Sequence, residues 1–176
     1  MNLPQQYQWL TKEESPRHLL KALELYGITE VVGEKNNPII LEWAKELGLE
    51  KVYTADSIAW CGLFVSIIMK RAGREPVDKP LWALNWANFG VKVEKPMLGD
   101  VLVFKRNGGG HVGLYCFETN NHYGVLGGNQ GDKVCIVLIA KSRLYQSRRP
   151  SYKNQPLNIR RILLDDKLAP ISNNEA

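Results

Sequence analysis

The first half of the chain carries apolar residues at helical spacing, interrupted by residues that start and stop helices. A first helix is predicted over residues 15–26, because Ser15-Pro16 supplies a cap residue and a proline suited to the first turn, and Gly27 follows. The same pattern returns over residues 37–48, which predicts a second helix. The buried stripe expected there is Ile40, Trp43, Ala44 and Leu47.

A third helix is predicted over residues 59–71, where every position from 63 to 69 except Ser66 is apolar. Such a segment is buried on all sides, so we expect this helix at the centre of the domain. Residues 82–89, which Gly90 ends, predict a short fourth helix. Trp82 and Trp86 lie at helical spacing in it, and both are expected in the core.

After Pro96 the pattern changes to short runs of β-branched and aromatic residues separated by Gly and Asn. These runs predict strands over residues 100–105, 111–117, 122–126 and 133–139. Short strands with tight connections favour an antiparallel sheet, and helices followed by strands favour an α+β fold. We expect a domain over residues 1–150 and a basic C-terminal extension over residues 151–176.

The composition limits the classes of protein to consider. With 176 residues, of which 44% are hydrophobic and 23% charged, the chain fits one soluble globular domain. No apolar run approaches the roughly 18 residues of a membrane span, and no signal peptide is expected at the start. The three cysteines form no CxxC pair, and with three histidines they give no zinc pattern, so neither a metal nor another cofactor is expected.

The net charge of +5 is concentrated in one stretch of the chain. Seven Lys and Arg residues and no acid lie between Lys141 and Arg161, whereas the rest of the chain has 16 basic and 18 acidic residues. Such a stretch attracts polyanions: nucleic acid, anionic lipid or an acidic wall polymer. The candidate anchor residues in it are Arg148, Arg149, Arg160 and Arg161.

Cys61, His111 and Asn129 have the residue types of a cysteine hydrolase site. Cys61 opens the buried helix, where unpaired backbone N–H groups lower the pKa of a thiol and the N–H of Cys61 can donate to an oxyanion. His111, between glycines at the start of a strand, can activate the thiol further. An amide such as that of Asn129 can orient the imidazole. Taken alone, however, a cysteine before an apolar helix is more often a small buried hydrophobe.

Structural roles are expected for the other residues of these types. Cys116 and Cys135 lie in apolar strand runs and are expected in the core. His18 has charged neighbours on the first helix and is expected to be solvated. His122 begins a strand after two asparagines and is not assigned to the site.

Five pieces of sequence follow one another in a familiar order: EVVG (30–33) with NNPII (36–40), WCGLFV (60–65), PMLGDVLVF (96–104), GHVGLY (110–115) and VLGGNQ (125–130). This order resembles the CHAP and NlpC-type papain-like cysteine amidohydrolases, which cut peptidoglycan, and most closely a small phage- and prophage-associated branch. The resemblance covers about residues 19–145. It implies a papain-like fold in which N-terminal helices pack on an antiparallel sheet and the nucleophile stands at the N-terminus of a buried helix.

The resemblance also implies roles for individual residues. Cys61 matches the nucleophile, His111 the general base, and Asn129 the polar residue that orients the imidazole. The chain departs from the family at Gly127, where many CHAP domains have Glu, and around the nucleophile, where Ala59-Trp60-Cys61-Gly62 replaces Asp-Cys-Ser-Gly. The third catalytic role therefore stays open between Asn129 and Gln130.

Three residues are candidates for binding substrate beside the thiol. Gln130 is one if Asn129 takes the third role. Asp56 lies five residues before Cys61 and either holds a substrate amine or caps the helix. Trp60 is a candidate wall of the cleft.

The function that the resemblance implies is hydrolysis of an amide bond in the stem peptide of peptidoglycan by a Cys-His thiolate mechanism. We expect synthesis in the cytoplasm and action on the wall after release or delivery, as a phage endolysin or an antibacterial effector. Two other classes stay open. One is an inactive papain-like module that binds or assembles, for instance in a phage particle; the other is a nucleic-acid-binding protein, which the C-terminal charge alone supports.

Overall fold

In the computed structural model, which describes residues 3–33, 35–106 and 108–164, helices precede strands. The α-helices are α1 (Arg17–Glu24), α2 (Pro38–Glu46) and α3 (Cys61–Arg71). Short 3-10 helices cover Gln5–Thr11, Ala83–Asn88 and Lys141–Arg143. The strands are β1 (Val91–Val93), β2 (Val101–Arg106), β3 (Gly109–Glu118), β4 (His122–Gly127), β5 (Cys135–Ala140) and β6 (Leu144–Arg149). The predicted α+β class is confirmed.

The three longer predicted helices are present. α1 starts directly after Pro16, and no side chain caps it. α2 starts as predicted, because the side chain of Asn37 accepts a hydrogen bond of 2.8 Å from the Ile39 N–H. α3 begins at Cys61 and is buried through its first nine residues, as its apolar sequence predicted. The fourth predicted helix is a 3-10 helix that begins at Ala83.

All six strands form one antiparallel sheet in the order β1-β6-β2-β3-β4-β5. The four predicted strands are β2 to β5. The sequence pattern does not predict β1, which has three residues, or β6, whose sequence LYQSRR is mostly polar. Because β6 lies between β1 and β2, the basic residues at its end are part of the sheet.

The sheet separates two apolar clusters. Val112 and Leu114 of β3 face the larger cluster, which also contains α3 and Cys61. Alternate residues of the same strands, such as Phe104 and Tyr115, form a smaller cluster on the other face. α3 contacts α1, α2 and β3, so the helix is enclosed from several sides.

Residues 162–164 lie against the end of β3. The N–H of Glu118 donates to the carbonyl of Ile162 at 2.8 Å, and the N–H of Leu164 donates to the carbonyl of Glu118 at 2.9 Å. The first part of the predicted extension therefore packs on the domain, whereas its residues 165–176 lie outside the described residues. Within the described ranges, no helix is both long and apolar enough to cross a membrane.

His18 is buried, so the expectation that it is solvated is wrong. Its side chain is 1% exposed, and Nε2 lies 2.7 Å from the carbonyl oxygen of Gly99. That carbonyl belongs to the turn that leads into β2. Long-range packing, which the charged neighbours of His18 in the sequence do not report, turns this face of α1 inward.

Candidate active site

The Cys61 thiol lies beside β3, where this strand extends beyond its pairing with β4. The two strands pair only from Leu114 and Leu126 onward, and before that point the backbone N–H of Val112 is within hydrogen-bonding reach of the thiol. The side chain of Cys61 is almost enclosed, at 4% exposure. Burial raises the pKa of the thiol, and the Val112 N–H and the charge of Arg106 oppose this rise only in part. The resting residue is therefore a neutral thiol.

His111 and Gln130 form a buried pair. His111 Nε2 lies 3.0 Å from Gln130 Oε1, and Gln130 Nε2 donates to the carbonyls of Val125 (3.2 Å) and Cys135 (2.5 Å). Because two carbonyls hold the NH₂ end of the amide, Oε1 must be the atom that faces the imidazole. Nε2 of His111 then carries the hydrogen, and Nδ1 carries the lone pair that a general base needs.

Gly127 makes room for this pair. A Cβ on Gly127 would lie 2.8 Å from Gln130 Oε1 and 3.1 Å from His111 Nε2. This is the position at which many CHAP domains have Glu. In this chain the amide of Gln130 fills the space in front of Gly127, and it is Gln130, not Asn129, whose amide contacts the imidazole.

The backbone at Gly128 makes a similarly close approach to the start of α3. A Cβ there would lie 2.6 Å from both the Phe64 Cβ and the Trp60 ring, at the start of α3. The Gly127-Gly128 pair thus lies between the His111-Gln130 pair and the N-terminus of α3. The His111 ring stacks on Phe104 in the smaller cluster, at 6.4 Å between centroids. The thiol meets the same strand one residue along, at Val112.

Asn129, the first choice for orienting the imidazole, is 5% exposed and adopts a left-handed conformation with φ of 55°. Asparagine tolerates this conformation better than most residues, which suits the turn between β4 and β5. Of the two amides in this turn, that of Gln130 bonds to His111 Nε2.

Asp56 and Trp60 are both interior residues. Asp56 Oδ2 accepts hydrogen bonds from the N–H groups of Val31 (3.0 Å) and Asn37 (2.7 Å), so it ties two loops together and does not cap α3. Trp60 is fully buried, and its indole N–H donates to Glu30 Oε1 at 2.6 Å. Burial raises the pKa of Glu30, and the Trp60 bond opposes this rise.

Glu30 was not singled out from the sequence as a site residue, although it lies in one of the five segments of the resemblance. Its contact with Trp60 joins residues that are 30 positions apart, and no local spacing reports it. Glu30 thereby fixes the indole beneath Gly128 and, with it, the residue that precedes the thiol.

The four arginines considered as wall anchors all bind groups of the chain itself. The pair between Arg149 and Asp100 is the most buried, with side-chain exposures of 13% and 1%. The partners are the Phe89 carbonyl for Arg148, Asp100 for Arg149, Glu13 for Arg160 and Glu118 for Arg161. These contacts assign the arginines a part in holding the fold, and they weaken the argument for a nucleic-acid-binding surface.

Comparison with known proteins adds no family. No protein-family model matches the chain, and no curated protein matches it. The likeness to CHAP and NlpC-type enzymes therefore remains a resemblance of motifs. Across the described residues, no group of three or more His, Cys, Asp and Glu side chains is arranged to hold a metal ion.

Proposed function

We propose that this protein is a papain-like cysteine amidohydrolase that cleaves an amide bond in the peptide part of peptidoglycan. The observation that carries the proposal is the contact between His111 and Gln130, which holds the imidazole in one tautomer beside the strand residue that the Cys61 thiol reaches. A thiol at a helix N-terminus, an imidazole and an orienting amide are the components of Cys-His catalysis. The five ordered motifs of the sequence supply the substrate class.

In the proposed reaction, Nδ1 of His111 takes the proton of Cys61 as the sulfur attacks the amide carbon. The oxyanion that develops is stabilised by backbone donors, among them the N–H of Cys61. The protonated His111 then gives its proton to the leaving amine, and a thioester remains on Cys61. Water, deprotonated by His111, hydrolyses the thioester and restores the thiol. Gln130 keeps Nε2 engaged throughout, so that only Nδ1 exchanges protons.

The raised pKa of Cys61 shapes this mechanism. A thiol that rests in its neutral form cannot attack as a preformed thiolate, so proton transfer to His111 must accompany the attack. The substrate also has to reach a side chain that is 4% exposed, so the residues that cover Cys61 must move apart before the substrate binds.

The same burial favours a second candidate function. A cysteine that is enclosed, neutral and bonded to a backbone N–H has the surroundings of a structural residue. In that case the chain is an inactive papain-like module that binds the wall or assembles with other proteins.

Digestion of purified peptidoglycan sacculi tests both proposals. The wild-type protein is compared with Cys61→Ala and with Cys116→Ala, which removes another fully buried thiol from the same core. We expect amine release and new muropeptides, identified by mass spectrometry, from the wild type and from Cys116→Ala but not from Cys61→Ala. The fragment masses identify the bond that is cut.

Two results would overturn the mechanism. Muropeptide release by Cys61→Ala at the wild-type rate would remove the thiol from the reaction. No release by any of the three proteins, with all of them co-sedimenting with sacculi, would establish the binding module instead.

A further inference from the structure

The segment from Pro80 to Leu84 bridges the two halves of the candidate site. A Cβ on Gly62, the residue after Cys61, would lie 2.3 Å from the Pro80 carbonyl oxygen. A Cβ on Gly110, the residue before His111, would lie 2.6 Å from the Leu84 side chain. The segment therefore touches the neighbours of both proposed catalytic residues.

This segment is held in place by the side chains of the residues that follow it. Trp86 is fully buried, and its indole N–H donates to the Pro80 carbonyl at 2.9 Å. The Asn85 side chain donates to the carbonyls of Asp78 and Lys79, at 3.2 Å each. Lys79 has a φ of 49°, a left-handed conformation that persists only where the surrounding contacts fix it.

Trp82, in the middle of the bridge, projects into solvent. Its side chain is 72% exposed, so the prediction that it belongs to the core is wrong. The 3-10 helix starts one residue later, and Trp82 has an extended conformation outside it. The helical spacing that predicted a common face for Trp82 and Trp86 therefore does not apply. Because the segment is fixed beside the candidate site, the exposed indole is held there with a flat apolar face available to a ligand.

The turn that presents Trp82 also borders a pocket of about 610 Å³. The Trp82 N–H donates to the Lys79 carbonyl at 3.1 Å, and the Asn85 N–H donates to the Trp82 carbonyl at 2.9 Å. The residues that line the pocket are Val77, Asp78, Lys79, Asn85 and Asn88. Four of the five have side chains that give or take hydrogen bonds.

We propose that Trp82 and the pocket residues Asp78, Lys79, Asn85 and Asn88, together called the Trp82 surface, bind a sugar ring of the peptidoglycan glycan. The inference rests on the proposed function and adds to it the part of the substrate that positions the peptide. A pyranose ring has one face of C–H groups, which suits the flat indole. Its hydroxyl and acetamido groups lie around the rim and need amide, carboxylate and ammonium partners, which the pocket provides.

A peptide segment fits this surface less well. An extended peptide binds by pairing its backbone with an exposed strand edge or by placing side chains in apolar pockets. The Trp82 surface has no strand, and Val77 is the single apolar residue that lines the pocket. The glycan therefore lies on this surface, and the peptide attached to it extends towards Cys61.

Binding measured apart from catalysis tests the inference. The full chain carrying Cys61→Ala is titrated with a peptide-free N-acetylglucosamine tetramer and, separately, with a sugar-free stem peptide. Affinities are measured by isothermal titration calorimetry, which does not depend on Trp82. In the Cys61→Ala protein, protection of tryptophan fluorescence from iodide, which quenches the exposed Trp82 most strongly, reports whether the ligand covers this residue. We expect the tetramer to protect the fluorescence, Trp82→Ala to weaken its affinity at least tenfold, and Trp82→Phe to retain part of it. The matched control is Leu157→Ala, which removes a fully exposed apolar side chain from the C-terminal segment and should change nothing.

Each outcome decides one question. Equal affinity of Trp82→Ala for the tetramer, no binding of the tetramer, or protection by the stem peptide alone would overturn the Trp82 surface. Tetramer binding that depends on Trp82, without any cleavage of sacculi by the wild type, would refute the hydrolase and leave the glycan site standing. Cleavage of sacculi by the wild type without tetramer binding would support the hydrolase and refute the glycan site. If Trp82→Ala does not fold, iodide protection of the Cys61→Ala protein decides alone.

Discussion

Acidification should destabilise the protein through His18. The imidazole is buried against Gly99, and burial lowers its pKa from 6.5 to about 4, with the nearby charge of Arg74 acting in the same direction. The hydrogen bond to the Gly99 carbonyl opposes this shift without cancelling it. The folded protein therefore holds His18 neutral over a pH range in which the unfolded chain protonates it.

The size of the effect follows from the two pKa values of His18. Between pH 6.5 and about 4 the unfolded state binds one more proton at this residue than the folded state does, so the free energy of unfolding rises with pH there. The slope approaches about 1.4 kcal/mol per pH unit. The contribution of His18 is fully present above pH 6.5, and about 3 kcal/mol of it is lost on acidification to pH 4. This is a large share of the total stability of about 5–15 kcal/mol that is usual for a domain.

Urea denaturation at several pH values between 7 and 4, followed by far-UV circular dichroism, measures this contribution. The wild type is compared with His18→Gln, whose amide keeps a donor for the Gly99 carbonyl but does not titrate. Carboxylates affect both proteins alike, so the difference between the two curves isolates His18. We expect the variant to be less stable at pH 7 and its stability to fall less steeply on acidification. Parallel curves for the two proteins would refute the buried neutral imidazole.

Three further results are expected. Arg149→Gln leaves the buried Asp100 carboxylate without its ionic partner and should lower the free energy of unfolding by about 3–5 kcal/mol in urea denaturation. Arg160→Gln, at a half-exposed pair, should lower it by less than about 1 kcal/mol. Equal losses in the two variants would contradict this difference in burial. Gly127→Ala should displace the amide from the imidazole and slow hydrolysis of sacculi about a hundredfold, while Gly109→Ala, which has no atom within 4 Å of the new Cβ, keeps its rate. Because burial raises the pKa of the Cys61 thiol, iodoacetamide labelling of the native protein, followed by peptide mass spectrometry, should increase only at alkaline pH; full labelling at pH 7 would show a stable thiolate.

The elements that the sequence predicted well are those whose signals are local. The Asn37 cap, the continuous apolar run of α3 and the alternating strands β2 to β5 are each determined by neighbouring residues. The position of Cys61 at the start of α3 follows from the same local pattern of apolar residues. The fold class and the position of Cys61 at the start of a buried helix were therefore accessible without a structure, whereas the burial that raises the pKa of its thiol was not.

The features that the sequence did not reveal depend on distant partners. β6 becomes a strand because β1 and β2 lie on either side of it, although its own residues are polar and basic. His18 turns inward because a turn more than 80 residues away offers a carbonyl. The basic stretch predicts one charged patch, whereas the partners of its arginines come from several separate parts of the chain.

The choice of the residue that orients the imidazole also depends on contacts that the sequence does not reveal. Asn129 and Gln130 are adjacent amides, and composition cannot rank them. The left-handed conformation of Asn129 sets the direction of the turn, and the two backbone carbonyls that hold Gln130 Nε2 then direct Oε1 to His111. Neither fact is visible in the motif itself.

Close backbone approach, more than charge, assembles the candidate site. Added Cβ atoms on Gly62, Gly110, Gly127 and Gly128 would lie 2.3, 2.6, 2.8 and 2.6 Å from their nearest neighbours. Each of these glycines lets one component approach closely. These components are the segment from Pro80 to Leu84 at Gly62 and Gly110, the imidazole and its amide at Gly127, and the start of α3 at Gly128. Larger residues at these positions would separate the thiol, the imidazole and the bridging segment even if every reactive side chain were kept. The glycines beside Cys61 and His111 are therefore as necessary to the proposed chemistry as the residues that carry it.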